Sequence, residues 1–103
     1  MTDPVTAEPK VVDNREALRY EVWVDGTLAG FSTYHLRPGR LVFNHTETEA
    51  GFEGHGYASA LVRGALEDLR DRHLRIMPLC PFVASYIRDH PEYASMVVES
   101  DPT

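Results

Sequence analysis

The stretch NHTETEAGFEGHGYASALVRGALEDL, Asn44–Leu69, begins as one kind of chain and ends as another. Its first residues close the segment RLVFNHTET, whose two-residue alternation is that of a strand. Beyond Gly56, the residues Ala58, Leu61, Val62, Ala65, Leu66 and Leu69 recur at helical spacing, one apolar stripe on a helix of about four to five turns. Ser59, Arg63, Glu67 and Arg70 face the other way. Between the two rhythms stand Gly54 and Gly56, one residue apart. A strand that feeds through a glycine turn into an amphipathic helix sets a mixed fold.

Working back towards the N-terminus, LRYEVWV places Leu18, Tyr20, Val22 and Val24 on one face and Arg19, Glu21 and Trp23 on the other. Asp25-Gly26 follows, a strong hairpin signal, and TLAGFSTYHL is the returning strand. Arg37-Pro38-Gly39 makes a second turn into the third strand. Residues 1–9, with two prolines and little to pack, predict a disordered tail before a single domain over 10–103. Working forward, the helix pattern ends at His73 and LRIMPL is a short buried strand stopped by Pro78. Val83 with Ile87, and Phe82 with Tyr86, mark a second helix from Pro81. Pro91 ends it near His90 by disfavouring helical geometry in the residue before it. The expected fold is α+β: an antiparallel sheet of three to four strands, then helix, strand, helix, a minimal form of the three-layer α/β arrangement.

Composition narrows the partners. Ten basic and sixteen acidic residues give a formal charge of −6, which argues against nucleic acid and anionic membranes. No apolar run reaches the length of a membrane span and MTDPVTAEPK has no signal-peptide core, so the cytoplasm is the expected compartment. One cysteine, Cys80, excludes a disulfide framework, and the five histidines lack metal-ligand spacing, so no metal site is expected.

Four places carry chemistry. The amides of Gly56, Tyr57 and Ala58 open a helix whose dipole favours an anion, and the glycines let a phosphate come close. Spacing alone leaves open the commoner reading, a tight turn with no ligand. Cys80 precedes Pro81, a favoured first helical residue, and so takes the N-cap, where a thiolate is stabilised; a buried small hydrophobe is the other reading. Alternation puts His45 on the face of Leu41 and Phe43, with Glu47 and Glu49 near enough to tune it. It reads either as a site residue or as a hydrogen-bonded strand end. Arg88 reads as a phosphate or carboxylate partner or a plain surface arginine, and Tyr86 as packing before acid catalyst.

Together, NHTETE, GFEGHGYASALV, IMPLCPFVASYI and RDHPEY resemble the GNAT superfamily of acetyl-CoA-dependent N-acyltransferases, over about Val11 to Tyr93. The likeness is to its short branch of small GNAT-like N-acetyltransferases. There a motif of Arg or Gln, two residues, Gly, one residue, then Gly or Ala binds the coenzyme A diphosphate. Here Glu53, Gly54, His55, Gly56, Tyr57 and Ala58 cover it, with Glu53 departing from the usual first residue. The resemblance implies acetyl-CoA as co-substrate, no metal, and an amine acceptor whose identity it leaves open. It further implies a cofactor site of Thr46, Thr48, Phe52 and residues 53–58 with Cys80, Tyr86 and Arg88. The pantetheine arm would enter a gap between the third strand and Leu74–Leu79. His45 or Glu47 would be the base for direct transfer, and Cys80 the acyl carrier in a covalent variant. A coenzyme A or acyl-CoA binding module without efficient turnover is the competing function, and the chain is expected to be a monomer or weak homodimer. Full-length members carry two helices between their first two strands; here only Asn14–Ala17 separates Val11-Val12 from the hairpin, which implies a shallow, open or partner-completed acceptor side.

Overall fold

A computed structural model describes residues 8–98. The expected tail falls largely on residues 1–7, which with 99–103 lie outside the described residues. Five strands form one sheet in sequence order: β1 Lys10–Asn14, β2 Arg19–Val24, β3 Thr27–Arg37, β4 Arg40–Thr48 and β5 Arg75–Pro78. Asp25 and Gly26 close the β2–β3 hairpin with φ of +55° and +78°, the left-handed geometry that a two-residue turn of this kind requires. Helix α1, Tyr57–Asp71, links β4 to β5, which therefore run parallel. Helix α2, Pro81–Asp89, and a 3-10 turn over Pro91–Met96 complete the described chain.

The four antiparallel strands β1–β4 match the three to four expected, and the strand that follows the helix completes the sheet. Val11-Val12 joins as an edge strand paired with Val22 and Glu21, and β5 adds a parallel strand at the opposite side. Leu18 departs from its expected place: it precedes β2 with φ +56° and is 41% exposed. The stripe of α1 is buried as its spacing requires, with Leu61, Val62, Ala65, Leu66 and Leu69 at or below 1% exposure. These side chains meet Tyr20, Val22, Tyr34, Leu41 and Phe43 from the sheet and Val83 and Ile87 from α2 in one cluster. Gly64 allows the helix to come down on β1, because a Cβ there would stand 2.7 Å from Val11 Cβ.

A polar network fastens the C-terminal end of α1 to the sheet. The Tyr20 hydroxyl donates to Asp68 at 2.6 Å, and Arg72 donates to Asp68, Asp13 and the Tyr20 oxygen at 3.0, 3.2 and 3.2 Å. The Tyr34 hydroxyl donates to Asp13. Burial first, and then the neighbouring carboxylates, push both phenols above the ordinary tyrosine value.

Both helices join this one cluster, so they share a face of the sheet. The other face carries Val12, Asn14, Arg19, Glu21, Trp23, Phe31 and Thr33 in cross-strand rows, and no helix of the described residues packs on it. Glu21 is 4% exposed there because Asn14, Arg19 and Trp23 donate to it at 2.9, 2.8 and 2.9 Å. Burial opposes its charge, yet these donors outweigh burial and hold the carboxyl below its usual range.

Candidate functional site

The site is organised by one extra residue in β4. Thr33 pairs with His45 and Tyr34 with Phe43, which leaves Asn44 unmatched, a β-bulge. A bulge reverses the parity of everything beyond it. His45 therefore does not share the face of Leu41 and Phe43, as plain alternation suggested. It points to the bare face with Glu47, its Nε2 3.1 Å from Glu47 Oε1, the two side chains 59% and 52% exposed. The Phe31 ring lies edge-on to His45, centroids 6.4 Å apart. Thr46 turns inward instead: its hydroxyl is 2.9 Å from Ser32 Oγ and 3.2 Å from Cys80 Sγ. The three residues expected to act in catalysis thus divide, with Cys80 on the helix side of β4 and His45 and Glu47 on the bare side.

The same bulge shapes the edge of β4. Strand β5 pairs with it only from Arg40 to Phe43, and the Phe43 carbonyl then receives the amides of both Leu79 and Cys80 at 3.0 Å. There the two strands part, as Cys80 becomes the N-cap of α2 with Pro81 at its first position. Further along β4, Glu49 sends its amide to Ala29 at 2.8 Å, and the Glu47 carbonyl lies against Gly30, where a Cβ would meet it at 2.8 Å. By alternation the peptide groups of Thr46 and Thr48 point the other way, into the gap that β5 has left.

The glycine turn lies just beyond this gap. Gly51, Gly54 and Gly56 have φ of +90°, +81° and +78°, a left-handed conformation that L side chains rarely adopt. Nothing stands within 4 Å of a Cβ built on any of them, so the space over the turn is open. Gly56 is the N-cap of α1, no side chain caps the helix, and its first turn holds no acid. The amides of Gly56, Tyr57 and Ala58 find no acceptor among the described residues. Glu53 does not enter this cradle, because its carboxylate accepts from the Gly51 amide at 3.1 Å and so holds the loop. Phe52, Tyr57 and His55 form a row of ring contacts, with centroids 5.9 and 5.6 Å apart, on one flank of the turn. Open amides at the positive end of a fifteen-residue helix suit a diphosphate.

Helix α2 separates two residues expected to work together. Tyr86 and Arg88 are two positions apart, about 200° around the helix. Tyr86 lies on the side nearer α1, stacked on His90 at 3.9 Å, and its hydroxyl has no hydrogen-bond partner among the described residues. Burial raises its pKa, opposed by the charge of Arg63. Arg88 instead lines a shallow depression of about 250 Å³ with Pro78, Ala84, Ile87, Ala94 and Val97. Ser32, fully buried and bonded to Thr46, and Phe82, one turn before Tyr86 and 38% exposed, belong to the neighbourhood and carried no signal in the sequence beyond their residue type. Among the described residues no group of three or more His, Cys, Asp or Glu could hold a metal ion, and no helix is long and apolar enough to cross a membrane.

A bulged strand, a parting neighbour and an uncapped helix start follow one another along β4 and into α1. A sequence model of the GCN5-related N-acetyl-transferase family matches residues 19–96. The chain belongs to that family. The fold agrees with the solution structure of a GCN5-like protein from Staphylococcus aureus, at 17% identity and TM-score 0.64, over 93% of this chain and 92% of that one. It also agrees with a ribosomal-protein-alanine N-acetyltransferase from Brucella melitensis biovar Abortus 2308, at 20% identity and TM-score 0.53, over 82% of this chain and 65% of that one. No curated protein sequence matches. Family members act in general with acetyl-CoA and an amine acceptor.

Proposed function

We propose that this protein is an acetyl-CoA-dependent N-acetyltransferase that passes the acetyl group directly to an amine. One observation carries the reading: the unpaired edge of β4 at Thr46 and Thr48 runs up to the free amides of Gly56, Tyr57 and Ala58. A nucleotide diphosphate on the amides of residues 54–58 would send its pantetheine arm along that edge, adding to the sheet through backbone hydrogen bonds. The thioester would then lie where β4 and β5 part, near Cys80. Helices cover one side of the gap, so the amine approaches from the bare face, where His45 removes its proton and Glu47 steadies the imidazolium that results. The nitrogen bonds to the carbonyl carbon, the carbon–sulfur bond breaks, and the sulfur leaves as thiolate to be protonated. Tyr86, with its free hydroxyl, flanks this end.

Calorimetry with coenzyme A, followed by mass spectrometry of an amine panel incubated with acetyl-CoA, tests the proposal. Binding with acetylated product supports it. Binding without transfer to any amine leaves a coenzyme A binding module, and no binding refutes both.

A further inference from the structure

The bare face of the sheet has its own organisation. Its cross-strand rows run Asn14–Arg19–Thr33–His45 and Val12–Glu21–Phe31–Glu47, followed by Lys10–Trp23–Leu28. Beside His45, the Arg19 guanidinium lies 4.5 Å over the Phe31 ring and is paired with Glu21. At the far end, beside the β2–β3 turn, the face dips into a depression of about 510 Å³ lined by Glu8, Lys10, Trp23, Asp25 and Gly26. The lining offers two carboxylates, one ammonium and an indole. Such a lining favours a cation, since an aromatic face and nearby carboxylates both attract one. From His45 the depression is two strands across and four residues along, about 16 Å, or about five residues of extended chain. A chain that spans both places would be held at two points, which a small amine at His45 could not be.

We propose that the acceptor is a cationic polypeptide laid along the bare face, its reacting amine at His45 and a second lysine or arginine, about five residues away, on Trp23 between Glu8 and Asp25. This rests on the transferase reading and names its substrate class. The formal charge of −6 draws such a chain in from a distance. From Leu41 to Val62 the chain carries three glutamates and no lysine or arginine, so the rim of the gap adds to that attraction.

Trp23 is the single tryptophan of the chain, and its emission reports occupation of the depression whether or not acetyl transfer follows. The probes are peptides of about ten residues with one lysine fixed and a second moved along the chain, the same peptide with aspartates flanking the lysine, and spermidine. The expected result is a saturable change in Trp23 emission with the dibasic peptides, best near a five-residue spacing. It should weaken with added salt and be absent with the acidic peptide. With acetyl-CoA present, kcat/KM for that spacing should exceed the value for spermidine at least ~10-fold. Asp25→Asn keeps the turn, since asparagine tolerates the left-handed position, and removes one carboxylate. It should raise KM for the dibasic peptide several-fold, with kcat and coenzyme A affinity unchanged. Equal turnover of spermidine, indifference to spacing, or an unchanged KM in Asp25→Asn overturns the inference. So does a dimer in sedimentation that hides Trp23 from peptide. Failure of coenzyme A to bind would instead strike at the transferase reading itself.

Discussion

Gly56→Ala isolates the diphosphate cradle, because its cost in stability can be matched at a distant site. Gly56 has φ +78° with open space around a would-be Cβ, so alanine there meets no clash and suffers only the left-handed backbone. That strain is about 1–2 kcal/mol, or a fall in Tm of about 4–8 °C per kcal/mol for a domain of this size. Gly39, in the β3–β4 turn, has φ +74° and equally open surroundings. Gly39→Ala should therefore lose the same stability. The two variants part at the ligand. A methyl on Gly56 stands in the space a phosphate needs in order to reach the amides of Tyr57 and Ala58, and it opposes the N-cap geometry that aims them. Losing two charge-assisted hydrogen bonds of about 1.5 kcal/mol or more each should weaken coenzyme A by about 100-fold or more. Calorimetry on both variants, with thermal melts alongside, gives the comparison. Matched melts with unchanged coenzyme A affinity in Gly56→Ala would refute the placement of the diphosphate. Weakened binding in Gly39→Ala would show that strain alone explains any loss.

Three further outcomes are expected. His45→Gln should slow acetyl transfer by about 10²–10⁴-fold while stability moves by less than about 0.5 kcal/mol, given its exposure; an intact rate would remove His45 as base. Cys80→Ser should retain transfer, and acetyl-CoA without acceptor should leave no acetyl mass on the wild type; an increment that the serine variant abolishes would establish the covalent route. Stability should fall above about pH 10, where tyrosines of the unfolded chain ionise. The buried phenols keep their protons in the fold, so the unfolded state holds fewer protons there and is favoured as pH rises. Tyr93, pushed up to about 12 by burial and by Glu67, adds to this fall. Alkaline denaturation followed by circular dichroism should be shallower in Tyr20→Phe, which is also about 1–2 kcal/mol less stable at neutral pH; an unchanged slope would deny Tyr20 that part.

What the sequence revealed was whatever repeats or punctuates. Asp25-Gly26 and Pro38-Gly39 turn where glycine geometry requires, the apolar stripe of α1 is buried, and Cys80-Pro81 opens α2. Hidden features were those that depend on a partner across space. Asn44 bulges because β3 offers it no counterpart, and no residue type announces that, so the alternation through His45 misled. The sequence marks only Val11-Val12 ahead of the hairpin, and the full strand Lys10–Asn14 shows itself only once β2 lies beside it. Arg88 looked available to an anion, but its bearing on α2 depends on which stripe of a short helix is buried, and Val83 with Ile87 fix that. The open amides at Gly56 were legible; that the Glu53 carboxylate accepts from the Gly51 amide was visible only in the folded loop.

Helix α1 is held like a beam clamped at one end. Arg72, Asp68 and Tyr20 fasten its C-terminal turns to the sheet, whereas among the described residues its first turn has neither a side-chain cap nor a partner for its leading amides. Motion should therefore concentrate at the end proposed to meet the anion, and die out before the anchored turns. Amide exchange should slow from Tyr57 towards Leu69, and a bound diphosphate, by filling the missing cap, should slow the fast end far more than the fixed one. The free end could then adjust to a diphosphate while the hydrophobic cluster beneath α1 stays as packed.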